Sequence, residues 1–381
     1  MVLKGIVEGF YGPPYRWSER FLLLEYFGEF GFNYYLYGPK EDPYHRKRWD
    51  RFYPPSLLKD FQRLHTEAKR QGITLNYALT PGDDLKRVVA KLGQLKKIGI
   101  EEFSLFFDDI EELPSIELAK NQAALANSVY KALRPRRLLF CPTQYSGKRS
   151  PYLEALSAYL DPEIMILWTG PEVVSRRIVV RDILPIHQLF PKRVILWDNY
   201  PVNDYDRSRI FLGPFRGREA RILRYLSGYL ANPMNQPRLS LIPLSTLASW
   251  LRGKGGYQPT KAIRLALKRF GLMKHYPLLR QFFPSKLYQR MSPETVLLLR
   301  RDWDRLLPRI RSWPSVDLWE GDWAVNNLLQ ARDLLIRYLD EKRVDGKELD
   351  RIVISRRGEG GLYFENQVYN FLLTVSDRGL R

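Results

Sequence analysis

The chain has 381 residues, 45% hydrophobic and 13% aromatic, with one cysteine and a formal net charge of +19. This composition excludes a disordered or low-complexity chain, and the lone Cys141 excludes an internal disulfide and a cysteine-ligated zinc site. The charge implies a field that attracts polyanions, yet the basic residues cluster only in "HRKRWDR" (45–51) and "RPRR" (134–137), which equally suits a solvated, heat-adapted surface.

The opening "MVLKGIVEGFYG" has no apolar region long enough for secretion, and no later stretch approaches a membrane span, so the sequence reads as cytoplasmic. Short apolar runs follow, rich in Val, Ile, Phe, Tyr and Leu, as strands buried on both faces must be. They are "GIVEG" (5–9), "FNYYLY" (32–37), "ITLNYAL" (73–79), "EFSLFF" (102–107), "RLLFC" (137–141), "IMILW" (164–168), "RVILW" (193–197) and "LSGYLA" (226–231). Amphipathic stretches such as "DLKRVVAKLGQLKKIG" (84–99) and "IELAKNQAALANSVYKAL" (116–133) separate them at helical spacing. Eight strands alternating with helices predict an α/β protein, a (β/α)8 barrel, with doubly wound sheets as the alternative. Gly, Pro, Asn, Asp, Tyr and Trp gather after the strands, as in "EGFYG", "FDDIEE", "CPTQY" and "WDNYPVND". In a barrel those loops converge on one face, where active sites are built.

The glycine-rich "GKGGYQPT" (253–260) marks a boundary. It divides a predicted catalytic domain, 1–255, from a helical domain, 256–381, with helices over 292–307 and 322–343. Residues 362–373 read as a helix or a pairing surface. Trp313, Trp319 and Trp323 of this region are core or interface residues, and the region could pair two copies into a homodimer.

Two adjacent aspartates, Asp108 and Asp109, end the fourth strand. As an acid/base pair they suit glycoside hydrolysis, because two close carboxylates cannot both ionise freely and one is driven toward its protonated form. Two other readings stay open: a capping residue beside a solvated one, or a hard-cation site built on D-D-x-E-E. Asp83 and Asp84 read as the N-terminal cap of the next helix, and Glu111 and Glu112 as the acidic first turn of theirs. Among the histidines, His45 falls in a loop on the active face, while His65 and His187 read as helix-surface residues and none, His275 included, shows ligand spacing. Tyr11, Tyr145, Trp168 and Trp197 offer faces to a sugar, and Lys40, Asn199, Asp204 and Asn232 offer hydrogen bonds to hydroxyls.

The segments "GIVEGFYGPPYRW", "YLYGPKED", "FFDDIEE", "LLFCPTQY", "LWTGPEVVS", "ILWDNYPVNDYDR", "FLGPFRGR" and "LANPMNQP", in this order, resemble the catalytic domain of glycoside hydrolase family 84 over about residues 4–255. That family comprises O-GlcNAcases and bacterial β-N-acetylglucosaminidases, some historically called hyaluronidases. The resemblance implies a retaining, substrate-assisted mechanism in which the sugar's 2-acetamido oxygen is the nucleophile. Asp108 would then orient and polarise the acetamido N–H, and Asp109 would serve as general acid and later base. Tyr145 would bond the acetamido group and Trp197 would wall its pocket. Gly9, Lys40, Asn199, Asp204 and Asn232 would hold the hydroxyls, and no cofactor or metal is implied. The chain departs from the family pattern at Gly38 (Ala expected), Glu41 (Asp) and Gln144 (Glu).

The function expected is an exo-acting β-N-acetylglucosaminidase on terminal β-linked GlcNAc glycoconjugates. The alternatives are a basic module binding acidic polymers such as hyaluronan or nucleic acid, or an endo-acting hydrolase of a glycan polymer. The intact aspartate pair argues against the binding module, and no membrane partner is expected.

Overall fold

The computed structural model describes residues 2–205, 211–253 and 256–279. The chain alternates β1 (Leu3–Glu8), α1 (Trp17–Phe30), β2 (Tyr34–Tyr37), α2 (Pro55–Arg70), β3 (Thr74–Leu79), α3 (Leu85–Lys96), β4 (Glu102–Phe106), α4 (Ile116–Leu133), β5 (Arg137–Cys141), α5 (Pro151–Tyr159), β6 (Met165–Trp168), α6 (Val180–Leu189), β7 (Val194–Asp198), β8 (Gly228–Ala231), α7 (Pro237–Arg252) and α8 (Pro259–Arg269). All eight strands are parallel and close into a barrel, with Gly5 of β1 beside Tyr34 of β2 on one side and Leu230 of β8 on the other.

The predicted apolar runs become these strands because each is covered on both faces. Alternate residues point inward, and Val7, Leu36, Ala78, Phe106, Leu139, Leu167, Ile195 and Leu230 share one interior cluster. A polar group is also enclosed: the Ser104 hydroxyl donates to Asn76 Oδ1 at 2.6 Å, and Asn76 Nδ2 donates to the Tyr34 hydroxyl at 2.9 Å. Such groups are tolerated inside a barrel only when bonded in this way.

Helix starts follow their local chemistry. Asp84 caps α3 by accepting from the Arg87 amide at 3.1 Å, as its sequence position predicts. The start of α4 differs from expectation. Ser115 is its cap, accepting from the Leu118 amide at 3.1 Å, and Glu117 supplies the acidic first turn. Glu111 and Glu112 instead lie exposed in the bend before it, because Pro114 delays the helix.

The chain divides into two compact units. One comprises Met1–Val202, Phe215–Asn235 and Ala248–Gly255; the other comprises Asn203–Pro214, Gln236–Leu247 and Gly256–Arg381. In the second, α8 is amphipathic and buries Ala262, Ile263, Ala266 and Leu267. The helices predicted over 292–307 and 322–343, the 362–373 segment and Trp313, Trp319 and Trp323 lie outside the described residues. No helix among the described residues is long and apolar enough to cross a membrane.

Candidate active site

The site begins with a buried charge in β1. Glu8 is fully buried and accepts from Arg20 Nε at 2.9 Å and Nη2 at 2.7 Å, from the Tyr35 hydroxyl at 2.6 Å and from the Tyr15 amide at 3.1 Å. A carboxylate in an apolar strand must be paired in this manner. The result anchors the loop after β1, which carries Gly9 and Tyr11.

Gly9 packs directly under Trp197. A Cβ on residue 9 would lie 2.3 Å from Trp197 Cζ2, so any larger residue collides with the indole. The Gly9 amide donates to Asn232 Oδ1 at 3.3 Å, Asn232 Nδ2 donates to Asn199 Oδ1 at 2.9 Å, and Trp197 Nε1 donates to the same oxygen at 3.0 Å. Asn199 Nδ2 in turn reaches the Val173 carbonyl at 2.8 Å. Four of the predicted site residues thus form one bonded chain across the ends of β1, β7 and β8. Beneath it Asp198 is fully buried and bound by Arg218 Nε at 2.7 Å and Nη2 at 2.6 Å.

The β4–β5 ladder extends one residue past β4, with the Phe107 amide bonded to the Cys141 carbonyl at 2.9 Å. The alternation of side chains then ends. Asp108 is buried, 4% exposed, and forms an ion pair with Lys40, itself 3% exposed. Lys40 Nζ lies 5.1 Å from the centre of the Phe106 ring and 5.8 Å from that of Trp197, so aromatic faces supplement the carboxylate. Only Asp108 Oδ2 is engaged; Oδ1 is buried without a hydrogen-bond partner. Such an orphan acceptor costs stability unless a ligand's donor meets it.

Asp109 takes a left-handed backbone conformation with φ at 53°, uncommon outside glycine. That twist turns its side chain to the exposed mouth, away from the pocket that holds Asp108. Its carboxylate accepts from the Tyr145 hydroxyl at 2.7 Å and the Tyr11 hydroxyl at 2.9 Å. Partial burial pushes the Asp109 carboxyl up, but the Lys40 charge, the two tyrosine bonds and Arg46 outweigh it and hold it below the usual carboxylate range. Burial and then Asp109 push the Tyr11 hydroxyl up to about 12, and burial and the Asp109 bond raise Tyr145 too, so both remain proton donors.

The two carboxylates therefore differ in a way closeness alone does not produce. The inequality comes from their partners: a buried lysine for Asp108, two hydroxyls and an arginine for Asp109. Trp168 does not offer a face to a sugar; it is 1% exposed and its Nε1 donates to the Gly147 carbonyl at 3.2 Å. Tyr11 and Tyr145 do reach the mouth. His65 and His187 sit on α2 and α6 as expected but are half-buried, and His187 Nδ1 lies 3.0 Å from the Tyr225 carbonyl. Asp204 is a half-buried turn residue of the second unit.

Three further residues, given no site role by the sequence pattern, shape this mouth. Phe106 supports Lys40 and Trp197, its ring centre 5.2 Å from that of Trp197. Gly38, the departure from alanine, makes room for it: a Cβ there would lie 2.8 Å from Phe106 Cε2. Arg46, inside the basic cluster 45–51, donates from Nη1 to the Tyr11 hydroxyl at 2.8 Å and from Nη2 to the Asp109 carbonyl. Its one available signal was the need of a tandem aspartate for a nearby cation.

Two carboxylates of opposed environment at the carboxyl-end mouth of a (β/α)8 barrel, ringed by tyrosine, tryptophan and amide side chains, are an arrangement suited to glycoside hydrolysis. The chain belongs to the β-N-acetylglucosaminidase family, which it matches over residues 4–283. It is similar to the protein O-GlcNAcases of Rattus norvegicus and Mus musculus, 35% identical to each over 274 residues, 66% of this chain and 30% of theirs. The chain thus spans about 30% of the length of these relatives. Its fold is that of a mutant O-GlcNAc hydrolase of Thermobaculum terrenum, with a TM-score of 0.79 and 24% identity over 98% of this chain and 94% of that one.

Proposed function

We propose that this chain is a retaining, exo-acting β-N-acetylglucosaminidase that removes terminal β-linked GlcNAc from glycoconjugates by substrate assistance, with residues 1–255 as its catalytic domain. The observation that carries this reading is the buried, unpartnered Oδ1 of Asp108, held beside the differently solvated Asp109. A carboxylate fixed by Lys40 with one oxygen to spare suits an amide N–H as its missing donor. A nucleophilic carboxylate would need an open approach to the anomeric carbon, which the Lys40 pair does not favour.

In this mechanism the acetamido oxygen bonds to the anomeric carbon as the bond to the leaving oxygen breaks. Asp109 passes its proton to that oxygen, while Asp108 stabilises the positive charge developing on the acetamido nitrogen. Asp109, now ionised, takes a proton from the water that attacks the same carbon and opens the oxazoline, so configuration is retained. Tyr145 bonds the acetamido group and Trp197 walls its pocket. Gly9, Lys40, Asn199 and Asn232 hold the hydroxyls. Because the Tyr145 hydroxyl also donates to Asp109, its transfer to the substrate removes one of the bonds holding that carboxyl low. Substrate itself thereby returns Asp109 toward its protonated form, and the alkaline limb of kcat is expected at higher pH than that of kcat/KM.

The test is hydrolysis of aryl β-GlcNAc glycosides with progressively fluorinated acetamido groups. Each fluorine should slow the reaction, since it weakens the nucleophilic oxygen; rates indifferent to fluorination would refute substrate assistance. Product analysis on a β-O-GlcNAc peptide, a chitooligosaccharide and a hyaluronan oligomer should find single GlcNAc released, and shortening of internal chains would favour an endo-acting enzyme.

A further inference from the structure

We propose that Arg46 is a positioning residue for the acid/base step, fixing both the backbone turn and the carboxylate orientation of Asp109. This rests on the reading of Asp109 as the general acid. The guanidinium uses two nitrogens: Nη2 donates to the Asp109 carbonyl and Nη1 donates to the Tyr11 hydroxyl at 2.8 Å. A tyrosine hydroxyl has one proton, and accepting from Arg46 directs that proton to Asp109 Oδ2, 2.9 Å away. The ring of contacts closes through Asp109 itself, joining the loops after β1 and β4.

The need for such a device follows from the backbone. Asp109 sits at φ 53°, a conformation that persists only where surrounding contacts over-determine it. Arg46 holds the carbonyl of that strained residue, and only a planar fork spans carbonyl and hydroxyl together. The turn that carries Arg46 is itself rigid. Asp42, 6% exposed, accepts from the Tyr37 hydroxyl at 2.7 Å, the Tyr53 hydroxyl at 2.5 Å and the Tyr44 amide at 2.9 Å. His45 is fully buried next to it and bonds the Ala78 carbonyl at 2.8 Å.

The titratable and charged groups that face Asp109 are Lys40 from the loop after β2, Arg46 from the following turn, Tyr11 after β1, Tyr145 after β5, and the neighbouring Asp108 and Cys141. Of the two cations, Lys40 pairs directly with the Asp108 carboxylate. Arg46 is the one that grips the Asp109 turn itself.

The experiment compares Arg46→Gln, Arg46→Lys and Asp109→Asn with the parent on β-GlcNAc glycosides of poor (alkyl) and good (dinitrophenyl) leaving groups. General acid catalysis contributes about 10²- to 10⁴-fold, so misplacing the acid should cost Arg46→Gln about ten-fold or more in kcat on the alkyl glycoside. The loss should stay within about three-fold on the dinitrophenyl glycoside, which needs little protonation. The alkaline limb of kcat should move to higher pH in Arg46→Gln, where the cation is gone, and stay in place in Arg46→Lys, which keeps the charge but not the fork. Unfolding midpoints measured alongside normalise each rate to folded protein. Equal losses on both glycosides with an unmoved limb, or no loss at all, would overturn the proposal while Asp109→Asn still discriminates between leaving groups. If Asp109→Asn itself fails to discriminate, the acid/base reading falls and this proposal falls with it.

Discussion

Replacing Gly9 with alanine tests how tightly the pocket wall is held. The new Cβ would sit 2.3 Å from Trp197 Cζ2, 2.7 Å from Cη2 and 3.1 Å from Val7 Cγ2. Ordinary carbon contacts begin near 3.5 Å, so the indole must move by about 1 Å. It has little freedom to do so, being 4% exposed, packed on Phe106 and bonded through Nε1 to Asn199 at 3.0 Å. Overpacking costs about 1–3 kcal/mol and loss of that hydrogen bond about 1 kcal/mol more, so Gly9→Ala should destabilise the protein by about 2–4 kcal/mol. A displacement of this size near reacting atoms should also lower kcat/KM about 10²-fold. The assay is a double-mutant cycle with Trp197→Phe, read by denaturant unfolding. The smaller ring should relieve the clash, so the double variant should be more stable than the sum of the single effects by at least about 1 kcal/mol. Strict additivity, or a Gly9→Ala protein as stable and active as the parent, would refute the reasoning.

Three further outcomes follow from the same geometry. Lys40→Met leaves Asp108 buried without its counter-charge and should cost about 3–5 kcal/mol in denaturant unfolding; adding Asp108→Asn should restore much of that stability and none of the activity. His45 is held neutral, its pKa lowered from 6.5 to about 3 by burial first and by the Lys40 charge. The unfolded chain therefore binds a proton there that the folded one refuses, and stability is full above pH 6.5 and falls as pH drops toward 3. At about 1.4 kcal/mol per pH unit, His45 makes the protein roughly 3 kcal/mol less stable at pH 4 than at pH 7; unfolding curves of His45→Gln should lack that increment. Gly38→Ala drives a methyl to 2.8 Å from Phe106 Cε2 and 3.0 Å from the Ala78 Cβ, and should lower the unfolding midpoint through a cost of about 1–3 kcal/mol.

The barrel was legible because its signal is local and repeated. Buried parallel strands must be almost wholly apolar, and runs such as "RLLFC" and "EFSLFF" coincide with β5 and β4 nearly residue for residue. The aspartate pair was legible for the complementary reason, since two charges at the end of such a run violate its pattern. What the sequence concealed were contacts distant along the chain. Glu8 and Arg20, Asp198 and Arg218, and Arg46 and Asp109 are each joined by tertiary structure, and no local pattern distinguishes Arg46 from its solvated neighbours Lys47 and Arg48. The start of α4 was misplaced because an acidic pair and a serine cap compete for one role, and Pro114 gives it to Ser115. Trp168 was misread because exposure at a strand end depends on the next loop, here the one that carries Gly147.

The bond between the Gly9 amide and Asn232 spans 223 positions of sequence and fastens the first strand to the last. Contacts of such separation are among the slowest to form in folding. A nascent chain that has emitted β1 to β7 therefore has both aspartates but no completed wall for Trp197 and Asn199 to rest upon. Under the proposed function, turnover of a chromogenic β-GlcNAc glycoside is expected only once the ring has closed, so its onset should time the last step of barrel assembly.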